Sequence, residues 1–142
     1  GVHARYHCPC SRTLYFGKPP EEYRDIEKVI NECIETTLEV FKPGNTCADI
    51  SNTFFSTLKK LGYEKNNRCG YPIGLSYPPD WGERTMSLRS NDTSLLKTNM
   101  TFHFMPAIWF DDWGFETTES IIVTDQGGQC LSNVPRKLLV KD

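Results

Sequence analysis

Residues 20–61 read PEEYRDIEKVINECIETTLEVFKPGNTCADISNTFFSTLKKL, and two helices are written into them. Pro20 and the Glu21-Glu22 pair suit a first helical turn, where a missing N–H costs nothing and carboxylates meet the positive end of the dipole. Tyr23, Ile26, Ile30, Cys33, Ile34, Leu38 and Phe41 then recur on one face, which predicts a helix over 20–41. Pro43-Gly44 stops it. A second helix follows from about Thr46 to Leu61. Thr46 is its N-cap, Asp49 stands at the capping-box position, and Ile50, Phe54, Leu58 and Leu61 turn inward. Gly62 closes it.

Upstream, Val2 to Phe16 alternates weakly and runs into Gly17-Lys18-Pro19-Pro20, a strand ending in a turn. Downstream, strand-like runs cover 100–110, 116–124 and 136–140. Asp111-Asp112-Trp113-Gly114 reads as the hairpin connection between the first two, and Gln126-Gly127-Gly128 as a further turn. Strand, two long helices, then several strands predict an α+β domain. Its helices lie on one face of a largely antiparallel, curved sheet.

Between the halves, residues 70–89 are too rich in Gly, Pro and aromatics for a helix and too dense in ionisable groups for a plain linker. Ordering such a segment is costly, so one that survives in a compact domain is read as functional. We read it as a substrate-facing loop.

With 142 residues, 38% hydrophobic and 12% aromatic, the chain fits one domain with a real core. Net charge is −2 and like charges do not run in blocks, which argues against nucleic acid as a partner. No apolar run approaches the roughly 20 residues that cross a bilayer, and no signal peptide opens the chain. Six scattered cysteines, with Cys33 on a helix's apolar stripe, read as reduced thiols of a cytoplasmic protein. His7-Cys8-Pro9-Cys10 invites a zinc reading, but the second Cys pair at metal spacing is missing.

Several segments together resemble the pita-bread superfamily of aminopeptidase P, prolidase, methionine aminopeptidase and creatinase. Ser11 to Gly17 looks like the family strand TRT(F/L)xxG, and Lys42-Pro43-Gly44 is similar to its (K/R)PG step between helices. Gly70 to Leu75 stands where the family has GHGIGL, Thr101 to Trp109 resembles its FTIEPGIY strand, and Gly114 to Thr124 its GVRIEDTVLVT strand. The likeness keeps the family order over nearly the whole chain. It implies that residues 1–142 are the C-terminal portion of a catalytic domain whose N-terminal part is absent, and a homodimer when full length.

The departures matter as much. Metal-dependent members bind two divalent ions through two Asp, one His and two Glu. By resemblance the first Asp lies upstream of Gly1; the others fall on Pro9, Tyr71, Met105 and Thr118. Pro and Met supply no hard oxygen ligand, and neutral Tyr and Thr are poor substitutes. The expectation is no metal and no other cofactor. Creatinase shares the fold and hydrolyses a C–N bond without metal, and the run Tyr77 to Arg84 looks most like the metal-free ectoine hydrolase group.

Strand alternation around those positions maps a cleft face. His7 and Ser11 flank Pro9, His103 precedes Met105 by two, and Glu116 precedes Thr118 by two. A metal-free C–N hydrolase needs a base or attacking carboxylate and a proton donor for the leaving nitrogen. His103 and Glu116 are the first candidates and His7 the third. The bland alternative is a satisfied strand histidine and a solvated hairpin carboxylate. For binding, Tyr71 lines the cleft while Tyr77, Trp81 and Trp109 could stack on a delocalised cation. Asp80 or Glu83 could pair with amidinium N–H groups, and Arg84 or Arg89 could hold a carboxylate. For Trp109, within a strand run, core packing is the competing expectation. Glu119 is expected to support the site from behind, and Cys8 and Cys10 to face the core as inert thiols. The leading expectation is thus a hydrolase of a small cationic carboxylate substrate, ectoine- or creatine-like. The alternatives are an Xaa-Pro dipeptidase or aminopeptidase relative, and a pita-bread module that only binds peptides or proteins.

Overall fold

The computed structural model describes residues 1–65, 67–76, 80 and 84–142. Both helices form where the periodicity puts them. Helix α1 spans Glu21–Leu38 and buries Ile26, Ile30, Cys33 and Ile34. Helix α2 spans Cys47–Lys60, and its capping box closes as expected: Thr46 Oγ1 accepts Asp49 N–H at 3.1 Å while Thr46 N–H donates to the Asp49 carboxylate at 2.8 Å. Gly62 at φ +92 takes the left-handed conformation that ends α2, whereas α1 ends at Leu38, before the expected Phe41, and Gly44 at φ +89 turns the connection beyond it. No described helix is long and apolar enough to cross a membrane.

The opening segment departs from the single strand expected. It breaks into β1 (Val2–His3), β2 (Tyr6–His7), β3 (Ser11–Arg12) and β4 (Leu14–Phe16). The cause is local. Ala4 at φ 47 and Arg5 at φ 68 make a two-residue turn that folds β1 back on β2, a turn normally announced by Asn-Gly. Then come β5 (Gly70–Pro72), β6 (Thr101–Phe104), β7 (Ala107–Trp109), β8 (Gly114–Thr124), β9 (Gly127–Cys130) and β10 (Leu139–Lys141). Met105-Pro106 interrupts the run expected over 100–110, and the expected Gln126-Gly127-Gly128 turn leads straight into β9.

Strand β8 is the spine of the six-stranded sheet. On one side it pairs with β7 and β6, on the other with β3 and β9, and β5 extends the sheet beyond β6. All these pairings are antiparallel; β10 alone lies parallel, against β4. Phe102 and Phe104 of β6 turn to the helices and meet Phe41 and Phe54, with ring centroids 5.5–6.0 Å apart. Burying each such ring contributes about 1.5–3 kcal/mol, so this aromatic cluster fixes which face of β6 is inside. The residue between them must therefore face the other way, and it is His103.

Candidate functional site

Three strands bring the site together. Tyr71 of β5 lies opposite His103 of β6, His103 lies opposite Ser120 of β8, and Thr118 is one same-face step along β8. Their side chains form a continuous hydrogen-bonded run. His103 Nδ1 is 2.9 Å from the Tyr71 hydroxyl, and Nε2 is 2.9 Å from Thr118 Oγ1. Ser11, opposite Thr118 on β3, donates its backbone N–H to that same Oγ1 at 2.9 Å. Thr118 Oγ1 thus accepts from Ser11, and in one tautomer of His103 its own proton goes to Nε2. That tautomer carries the imidazole N–H on Nδ1, directed at the Tyr71 hydroxyl.

The imidazole is only 6% exposed. Burial, with the nearby charge of Arg68, pushes its pKa down to about 4, so His103 is neutral near pH 7. The Arg68 guanidinium stands 4.7 Å from the centroid of the Tyr71 ring, a cation–π contact.

His103 and Glu116 share a face but do not touch. Glu116 is four residues from Ser120 along β8, which at 3.3–3.4 Å per residue places it on the order of 13 Å from the position opposite His103. It is half-buried, and Thr13 Oγ1 ties down its backbone by accepting the N–H at 2.8 Å and donating to the carbonyl at 3.0 Å. Lys65, which donates to the Met105 carbonyl at 3.2 Å, is close enough to feel the Glu116 charge. His7 is carried by the β1–β2 hairpin and lines a groove with Tyr6, Ile73, Thr101 and Leu131. It meets the far end of the β6 face rather than the Tyr71–His103–Thr118 run.

The binding residues fare unevenly. Asp80 and Arg84 are exposed and paired with each other at 2.5 Å, so each already has a counter-charge. Tyr77, Trp81 and Glu83 lie outside the described residues. Trp109 is not a core residue: it is 65% exposed, its ring lying over Gly114, where a Cβ would come within 2.3 Å. Nor do Cys8 and Cys10 face the core. Cys8 is exposed and Cys10 half-buried, its Sγ 3.6 Å from Ser132 Oγ. Cys33 and Cys69 are the inert thiols, pushed up to about 12 by burial.

Glu119 is fully enclosed behind the face and pairs with Arg12 at 2.5 Å. Arg12 also donates to the carbonyls of Ser11, Thr118, Val134 and Pro135. The guanidinium therefore locks β3, β8 and the C-terminal segment together, as β3 must be locked if Ser11 is to reach Thr118. Desolvation raises the Glu119 pKa, and Arg12 opposes it.

These residues do not fit a pair of divalent ions. Among the described residues no three His, Cys, Asp or Glu side chains gather at a spacing that would hold a metal. At the positions where the resemblance puts ligands, Tyr71 and Thr118 spend their oxygens on His103, and Pro9 and Met105 offer no hard donor. Sequence reasoning found His103 but missed that its partners are the two replaced ligand positions, and it overlooked Lys65 and Arg68, which no periodicity marks.

Comparison with known proteins bears on this geometry. The chain is 54% identical over 142 residues to ectoine hydrolase of Halomonas elongata, covering 99% of the chain and 36% of that protein. To the Xaa-Pro dipeptidase of Pyrococcus furiosus it is 24% identical over 141 residues, covering 97% of the chain and 39% of the relative. The chain thus spans little more than a third of the length of the curated relatives it matches. The prolidase structure from Pyrococcus horikoshii superposes with a TM-score of 0.85 at 23% identity, covering 97% of the chain and 39% of that structure. The fold is the α+β pita-bread architecture of the prolidases and aminopeptidases. Residues 1–125 match metallopeptidase family M24, and the chain belongs to that family.

Proposed function

We propose that this chain carries the catalytic face of a metal-independent hydrolase that opens a non-peptide C–N bond in a small cationic carboxylate, an ectoine- or creatine-like amidine. The observation that carries the reading is the Tyr71–His103–Thr118 run: an organised proton donor at the positions where the family's metal ligands are expected. The 54% identity to an ectoine hydrolase supports the substrate class.

Water adds to the amidine carbon, the C–N bond breaks, and one proton from water ends on the leaving nitrogen. Tyr71 gives its proton to that nitrogen as the bond breaks. The phenolate left behind is held by the N–H on His103 Nδ1 and by the Arg68 guanidinium over its ring, then recovers a proton as the attacking water loses one. His103 is too weak a base to deprotonate water, so its part is to fix and stabilise Tyr71.

The test is hydrolysis of ectoine, hydroxyectoine, creatine and Xaa-Pro dipeptides by the complete protein, with metal content measured before and after chelation. Amidine turnover that survives chelation is expected. Stoichiometric metal together with dipeptide cleavage would overturn the proposal in favour of a peptidase, and tight binding without turnover would favour a binding module.

A further inference from the structure

Along α2 the surface opens into a cavity of about 560 Å³ lined by Asn52, Lys65, Asn67, Arg68, Arg89 and Asn91 among others. Three cations converge here in a chain whose net charge is −2. Among the described residues none of Lys65, Arg68 or Arg89 enters an ion pair, although six such pairs form elsewhere. Among the described residues no carboxylate lines this cavity. Asp92 lines only the adjoining one, and its two oxygens already accept the backbone N–H groups of Ser87 at 2.6 Å and Ser94 at 2.9 Å.

Like charges brought together repel; the Glu116 charge reaches Lys65 but Glu116 is not among the described residues lining the cavity, and the remaining wall consists mainly of amide and hydroxyl groups that can also donate. Lys65 is withdrawn from water, and that desolvation disfavours its charge. A bound anion would answer both costs at once. Two planar guanidinium forks suit a planar, two-oxygen group.

From this geometry we propose that Lys65, Arg68 and Arg89 form a binding site for the carboxylate of a small organic acid. Arg68 belongs to both places: it lines the cavity and stands over Tyr71. The carboxylate site stands on the cavity itself; that its occupant is the substrate rests on the hydrolase reading above.

The experiment follows the arginine side-chain Nε–H resonances of the complete protein while acetate, ectoine, the carboxamide of ectoine and inorganic phosphate are added in turn. Saturable shifts of Arg68 and Arg89 with acetate and ectoine, absent with the carboxamide, are expected. Arg89→Gln should weaken ectoine binding about tenfold, as loss of one charge-assisted pair does, and where turnover is measurable should raise KM with little change in kcat. Carboxylate binding at these arginines without turnover of any substrate would uphold the site and overturn the hydrolase reading. Ectoine turnover with no carboxylate-dependent shift would overturn the site alone. Preference for phosphate over both carboxylates would overturn its assignment to an organic acid.

Discussion

The hydroxyl of Tyr71 lies 2.9 Å from Nδ1 of His103, across a strand pair in which the two residues stand directly opposite. That bond ties the tyrosine hydroxyl to the imidazole, and in the proposed mechanism makes it the proton donor. Tyr71→Phe keeps the ring under Arg68 and removes only the oxygen. Turnover should fall about 10²–10⁴-fold, the contribution of a positioned acid, while the loss of stability stays near 1–3 kcal/mol for the orphaned Nδ1. Amidine hydrolysis and urea denaturation of the same variant check both figures.

Thr118→Val should cost about 1–3 kcal/mol, because both the Ser11 N–H and His103 Nε2 lose their partner in a buried place. Thr118→Ser keeps the hydroxyl and should restore most of the loss. A stable Thr118→Val beside a destabilised Thr118→Ser would show that the methyl group's packing, not the hydroxyl, is what matters.

The pH dependence of stability follows from His103. Its pKa is about 4 in the fold, through burial, Arg68 and the amino group of Gly1, against about 6.5 in an unfolded chain. Between those values the unfolded chain binds the proton and the fold does not, so stability rises with pH across about 4–6.5 and is complete above it. The amount is on the order of 3 kcal/mol. Thermal midpoints recorded over pH 4–7 should climb less steeply for His103→Gln than for the unaltered protein.

Removing the guanidinium behind the site should cost more than any change on its face. Arg12→Met leaves Glu119 charged and enclosed, a loss of about 3–5 kcal/mol. Adding Glu119→Leu removes that stranded charge and should recover part of the stability. The remainder, read by denaturant titration, measures the four carbonyls that Arg12 also serves.

Gly70→Ala tests whether β5 must sit as close to β6 as it does. A Cβ there would stand 2.5 Å from the His103 carbonyl and 2.6 Å from a Leu88 methyl. Since backbone cannot yield as a side chain can, about 1–3 kcal/mol should be lost. Activity should fall with it, because Tyr71 is the next residue on the displaced strand.

What could be read from the residue string was whatever repeats. Ile26, Ile30, Cys33 and Ile34 announce α1 by their spacing, and Thr46 with Asp49 announces the start of α2. Alternation with Met105 placed His103 on the cleft face, and in the fold Phe102 and Phe104 occupy the opposite, core side. Sequence reasoning could not see that Ala4-Arg5 adopts left-handed backbone, which split the opening strand and carried His7 away. It also put His103 and Glu116 side by side, because alternation gives the face of a residue but not its distance along a strand. Arg68 escaped notice for a related reason: its meaning comes from Tyr71 and Arg89, which only tertiary structure brings near.

Arg12 binds carbonyls at residues 134 and 135, more than 120 positions further along the chain. During synthesis β3 therefore leaves the ribosome long before its clasp exists. Until the last tenth of this sequence has emerged, Arg12 has Ser11, Thr118 and Glu119 to hold it but not the C-terminal carbonyls. The tie between the β3–β8 pair and the C-terminal segment is thus made late, after both helices and most of the sheet.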